Sequence, residues 1–314
     1  MKKIHNFVVD SGSYAYLSLI LKPTPPHSEW GFLLTNFSVA GYNRYKQQTL
    51  PLNDFAFLGH FQSKLDLLKN KIIKENWDYP NFGIIEEAGN GSDMENPILY
   101  NYIHHTFIRI LQERKIYFRH GEFACFNTGL FTKSLQDIYM YFAPNYVEKR
   151  NKEWYLVGFF TGVALFKKTG HSNWPPRANY FKTPTKLTYD VRLPLEVLRK
   201  SMGHIIEENF DRLPKEIQQL NKVGIKSKFE QAIKNAEILV KRDYRIALPQ
   251  FYRMQFQLLL PICLRNPTKA DLALSVFKHI NVYEGTTCLP LDWAAQNTRL
   301  IAPIDGTWLN RSIY

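Results

Sequence analysis

The sequence predicts an α+β fold: a curved, mostly antiparallel sheet with helices packed on one side, plus a small N-terminal β extension. Three observations carry this. Leu65, Leu67, Leu68, Ile72 and Ile73 recur at helical spacing, as do Leu99, Ile103, Phe107, Ile110 and Leu111. Aromatic, strand-like runs follow, Ile116-Tyr117-Phe118, Phe123-Ala124-Cys125-Phe126 and Trp154 to Phe160. The last third is β-rich, with Met254, Phe256, Leu258 and Leu260 alternating around Gln255 and Gln257.

Residues 1–50 read as the β-rich extension, with Tyr14, Tyr16 and Ile20 before the Pro-rich Lys22-Pro23-Thr24-Pro25-Pro26 and Trp30, Phe32 and Phe37 after it. Residues 51–314 form the main domain. Its first helix, over residues 65–73, ends at Trp77-Asp78-Tyr79-Pro80, and a polar loop spans Glu86 to Asn96. Pro97 opens the second helix, in which His104 and His105 point about 100° apart and cannot share one metal. His120-Gly121 marks a turn between strands. Asn127-Thr128-Gly129 reads as a tight turn that could present backbone N–H groups to an anion. Leu135, Ile138, Tyr139 and Phe142 suit a short strand or helical turn.

Lys167, Lys168, His171, Trp174, Arg177, Tyr180, Phe181 and Lys182 make a basic, aromatic loop. Cations interleaved with flat rings suit a single-stranded backbone or a nucleotide, and equally a solvated loop pinned by Trp174. Pro194 opens a helix with Leu195, Leu198, Met202, Ile205 and Ile206 on its apolar stripe and His204, Glu208 and Asp211 on another face. Another helix begins at Ser227, with Glu230 completing a capping box. Tyr244 to Phe251 and Met254 to Leu264 are strands, Leu272 to Ile280 and Tyr283 to Leu289 a hairpin, and Leu291 to Leu300 a final helix. No internal repeat is visible.

The 314 residues carry a formal net charge of +12 and include 18 Tyr, 22 Phe and 6 Trp. Such a basic, aromatic chain favours anionic partners such as RNA or nucleotides. Cys125, Cys263 and Cys288 form no Cys-x-x-Cys pair and sit among apolar residues, which reads as buried thiols in a reducing compartment. The longest apolar run, Leu258 to Leu264, is far short of a membrane span. A soluble, cytoplasmic protein is expected, with no membrane partner, no metal and no cofactor.

A set of short motifs resembles the OST-HTH-associated domain, a family of unknown function linked to RNA. The matching text is Leu52-Asn53-Asp54-Phe55-Ala56-Phe57, the Trp77 region, Tyr102-Ile103, Thr106-Phe107 and Phe126-Asn127-Thr128-Gly129-Leu130 with Ile138-Tyr139. It continues through His204-Ile205-Ile206, Asn209, Arg212-Leu213-Pro214, Leu248-Pro249-Gln250-Phe251-Tyr252, Leu258 to Pro261, Tyr283-Glu284-Gly285-Thr286-Thr287, Asn297-Thr298-Arg299-Leu300 and Trp308-Leu309. Thr298 stands where that family usually has Ala. The resemblance covers about residues 50–310 and implies RNA-linked biology, with any helix-turn-helix or nuclease partner supplied by separate chains.

Asn127, Thr128, Gly129, Trp174, Arg177, Asn209, Arg212, Gln250, Thr286, Asn297 and Arg299 are the candidate binding residues, since amides, hydroxyls and guanidinium groups suit a phosphate, base or ribose. The expectation is that they meet in one cleft of an RNA- or nucleotide-binding protein. The alternative is a metal-independent phosphoesterase acting on RNA ends or a nucleotide derivative, with His204 as general acid or base and the arginines stabilising charge. The same residues would also serve as caps and buried supports. There is no Walker loop, no His-Glu-x-x-His and no Gly-x-Ser-x-Gly.

Overall fold

Phe55 sets the first half of the core, because four elements meet on its ring. It closes the one-turn helix α1 (Leu52–Phe55) and touches Phe107 and Phe142, at 5.1 and 5.2 Å between centroids, together with Phe118 and Trp154. A computed structural model describes residues 50–78, 95–119, 121–146, 152–181, 183–252, 255–309 and 312–313. The expected N-terminal extension, most of the polar loop before Asn96, His120, Lys182 and Arg253 lie outside the described residues.

Strand β1 (Ala56–Phe57) follows α1, then α2 (Phe61–Lys71) and α3 (Pro97–Gln112). Helix α2 buries Phe61, Leu65 and Leu68, and α3 buries Leu99, Ile103, Phe107 and Ile110, as their spacing requires. Pro97 occupies the first turn of α3, where its missing N–H costs nothing. Four antiparallel strands then form a meander: β2 (Tyr117–Arg119), β3 (Phe123–Phe131), β4 (Asp137–Pro144) and β5 (Trp154–Thr161). The two residues of β1 pair in parallel with the start of β5, giving the sheet order β1-β5-β4-β3-β2. Helix α4 (Gly162–Thr169) follows.

The second half repeats this plan. Strand β6 (Leu195–Glu196) leads to α5 (Arg199–Asn209), α6 (Lys215–Gln218) and α7 (Lys222–Arg242). A second meander comprises β7 (Leu248–Tyr252), β8 (Gln255–Ile262), β9 (Leu272–Lys278) and β10 (Tyr283–Leu289), and β6 pairs in parallel with β10. The order β6-β10-β9-β8-β7 has the connectivity of the first sheet, and α8 (Leu291–Arg299) takes the place of α4 in chain order. The sequence shows no repeat because the backbone plan recurs without the side chains that execute it. One buried hydrophobic cluster runs through both halves.

The α+β class and the mostly antiparallel pairing are as expected, but the strands divide between two five-stranded sheets that do not close into a barrel. Asn127-Thr128-Gly129 is not a tight turn. It lies inside the nine-residue β3, where four steps from Asn127 to Phe131 oppose two from Tyr139 to Asp137. The local turn chemistry is used to build a bulge: Asn127 Oδ1 accepts from Gly129 N–H, and the Thr128 hydroxyl donates to the Ile138 carbonyl at 2.7 Å. Residues 137–144 form a full strand. Leu195 pairs in β6 instead of opening a helix, so α5 starts at Arg199. Helix α7 starts at Lys222, where the Asn221 side chain caps Gly224 N–H, five residues before the capping box at Ser227. Lys167 and Lys168 lie in the last turn of α4, where cations favour the helix dipole.

His104 is packed on α3 against Phe61 and stacked on Tyr100, 4.3 Å between centroids. Burial, with His105 adding to it, holds its pKa down to about 4. The unfolded chain therefore binds the extra proton first, and stability is expected to fall as pH drops from about 6.5 toward 4. Thermal melts across that range are expected to show a shallower decline in His104→Gln.

Candidate nucleic-acid interface

The structure gives most of the predicted site residues structural partners. Asn127 is buried, and its Nδ2 donates to Asp137 Oδ2 at 3.0 Å. Thr128 is buried beside it, and its carbonyl accepts from the Tyr102 hydroxyl at 2.9 Å. Tyr102 links this bulge to Arg299, whose guanidinium lies 4.7 Å from the rings of both Tyr102 and Trp77. Arg299 is neutralised by Glu75 through two hydrogen bonds, 2.5 Å at Nε and 2.9 Å at the terminal nitrogen. Gln250 bonds Gln257, Ser275 and Asn297 in a buried amide network, and the Thr286 hydroxyl donates to the Ser275 carbonyl. Helix α8 thus ties the halves together, with Gln296 accepting from Asn101 of α3.

The remaining candidates lie elsewhere. Asn209 is buried and donates to the Ile205 carbonyl one turn back. The Arg212 guanidinium covers the Trp293 ring at 4.9 Å. His204 is exposed on α5 and pairs with Glu208 at 3.0 Å. Neither Arg212 nor Arg299 is among the partners of His204, so these three do not assemble the phosphoesterase arrangement expected from the sequence. Trp174 packs against Tyr139 and His171, and Arg177 is exposed with its carbonyl accepting from Lys115. The single cleft expected of these residues is replaced by an internal polar seam, because in a protein interior each polar group must find a partner.

A different surface sets cations beside aromatic rings. Strands β3, β4 and β5 turn Ala124, Phe126, Ile138, Met140, Phe142, Trp154 and Leu156 toward the main core. Period-two alternation sends Phe123, Cys125, Tyr139, Tyr141, Tyr155 and Val157 to the opposite face, where Phe123, Cys125, Tyr139 and Tyr141 are buried in a small second cluster with Leu165 of α4 and Tyr155 stays exposed. Three lysines border that face. Lys64 lies 4.8 Å over the Tyr155 ring, Lys71 lies 5.8 Å over Phe160, and Lys168 lies 5.8 Å over Tyr141. Among the described residues, none of the three pairs with a carboxylate.

The lysines of α2 sit there for a structural reason. Strand β1 covers only the first two residues of β5, leaving open carbonyls along the rest of that edge. Lys64 Nζ donates to the Leu156 and Leu58 carbonyls at 2.6 and 2.9 Å, and Lys71 Nζ donates to Phe159 at 3.1 Å. Charged lysines are a common way of blunting an edge strand. Burial lowers the Lys64 pKa. Phe57, Gly59, His60, Lys64 and Tyr155 line an open groove of about 470 Å³ at this margin, within the usual range for ligand pockets. The face was missed in the sequence, although Lys64 and Lys71 are seven residues apart on one helix face and Tyr139 and Tyr141 alternate with core residues.

The described residues contain no cluster able to hold a metal ion and no helix long and apolar enough to cross a membrane. Cys125 and Cys288 are buried free thiols, and Cys263 is partly buried. A family model described as a domain of unknown function (DUF3825) matches residues 68–308. The OST-HTH-associated family is not matched, which corrects the resemblance drawn from the short motifs; those motifs fall largely inside the DUF3825 range. No curated protein and no solved structure matches the chain.

Proposed function

The chain belongs to the DUF3825 family, domains of unknown function, and we propose that its lysine-edged aromatic sheet face binds single-stranded RNA or a nucleotide. The observation that carries this is the triple pairing of Lys64 with Tyr155, Lys71 with Phe160 and Lys168 with Tyr141 on one face. Ammonium groups attract phosphates, while rings offer stacking surfaces that tolerate any base. Tyr155, 37 % accessible, is the most exposed of the three rings, with Phe57 stacked against it at 6.0 Å between centroids. The overall charge of +12 adds long-range attraction.

Fluorescence anisotropy with a labelled oligouridine of about ten nucleotides tests this. Three neutralised phosphates give a slope of log affinity against log salt of about −2. Lys168→Ala is expected to make that slope shallower by about 0.7. Tyr155→Ala is expected to weaken binding about tenfold with little change in slope. His204→Ala is expected to change neither. Salt-independent binding, or binding untouched by both face variants, contradicts the proposal.

A further inference from the structure

At the α4 end of the same face lies a second pocket, of about 220 Å³, lined by Gln136, Asp137, Tyr139, Gly162 and Val163. Its chemistry differs from the rest of the face. In a strongly basic chain it presents a carboxylate that has no cation partner among the described residues. Asn127 holds Asp137 in place by donating to Oδ2 at 3.0 Å, and the Tyr139 hydroxyl also bonds this carboxylate, whose two oxygens offer about four acceptor sites in all. Both Asp137 and Gln136 are exposed. Tyr139 forms a flat wall, and Trp174 packs behind it at 5.6 Å between centroids. Gly162 keeps the other wall thin: a Cβ there would stand 3.1 Å from the Trp174 indole. Burial, then Asp137, pushes the Tyr139 hydroxyl up to about 12, so it stays protonated.

A carboxylate repels the backbone of RNA, so its use on this face must be toward a base edge. Guanine offers two parallel donors, N1–H and the N2 amino group, that match a carboxylate, and an O6 acceptor suited to the Gln136 amide. Adenine and cytosine each set an acceptor beside their amino group, and uracil offers one N–H. We propose that this pocket selects a guanine base, with Asp137 reading N1–H and N2–H and Asn127 positioning Asp137. This rests on the reading that the face binds RNA or nucleotide, and it names the base preferred.

Calorimetric titration of the full chain with GMP, IMP, AMP, CMP and UMP tests the pocket, and the oligouridine measurement tests the face separately. GMP is expected to bind about tenfold tighter than AMP, CMP or UMP, with IMP between because it lacks the N2 amino group. Asp137→Asn, which can still accept from Asn127, is expected to abolish the preference and leave oligouridine binding in place. Gln136→Ala is expected to reduce the GMP preference partially. Equal binding of all five nucleotides, absence of GMP binding, or a preference that survives Asp137→Asn overturns the inference. Agmatine competing as well as GMP also overturns it, since the pocket would then be a site for organic cations. Oligouridine binding with no GMP preference removes the pocket alone; GMP preference without oligouridine binding removes the extended face alone.

Discussion

Replacing Arg299 with Met is expected to lower unfolding free energy by about 3–5 kcal/mol, a large part of the 5–15 kcal/mol that holds a typical domain together. The Arg299 side chain is 9 % exposed and that of its partner Glu75 14 %. Removing the guanidinium strands the carboxylate in an apolar surrounding beside Trp77 and Tyr102, and that uncompensated charge is the main cost. Met keeps much of the packed stem, so the loss reads the charge more than the volume. Pairing Arg299→Met with Glu75→Gln removes both charges and is expected to recover most of the stability. Urea denaturation of the two single variants and the double variant gives the coupling directly. A small loss in Arg299→Met would mean that the pair contributes little to joining the two halves.

Gly129→Ala is expected to cost about 3 kcal/mol. Gly129 sits at φ +75°, a conformation that charges an L-residue about 1–2 kcal/mol. An added Cβ would also stand 2.8 Å from the Tyr102 hydroxyl, forcing that group off the Thr128 carbonyl. A buried hydroxyl left without its acceptor adds about 1–3 kcal/mol. Tyr102→Phe removes the clashing oxygen, so Gly129→Ala in that background is expected to cost only the backbone part. The same denaturation series checks this; equal costs in both backgrounds would show that the hydroxyl is not the obstacle.

These variants mark where sequence reading succeeded and where it stopped. The helical spacing of Leu65 and Leu68, and of Leu99, Ile103 and Phe107, located α2 and α3, since a periodic apolar stripe has only one way to be buried. The alternation of Leu258 and Leu260 located β8. Asn127-Thr128-Gly129 carried a genuine turn signal, yet β3 continues past it to Phe131, and pairing with β4 turned the turn into a bulge. Leu195 was drawn from helix to strand by its pairing with Tyr283, 88 residues away, which no local window contains. Arg299 read as a ligand group because Glu75, its neutralising partner, is 224 positions distant. The lysine-ring pairs escaped for the same reason: Lys64 and Tyr155 meet only when α2 is laid along the open edge of β5.

Photo-crosslinking with a 4-thiouridine-containing single-stranded RNA, followed by peptide mapping, tests the central claim most directly. Crosslinks are expected in Asp137–Pro144, Trp154–Thr161 and Gly162–Thr169, and loss of the Tyr155 crosslink in Tyr155→Ala. Crosslinks concentrated instead on α5 and α7, or no crosslink above that of a protein without affinity for RNA, would contradict it.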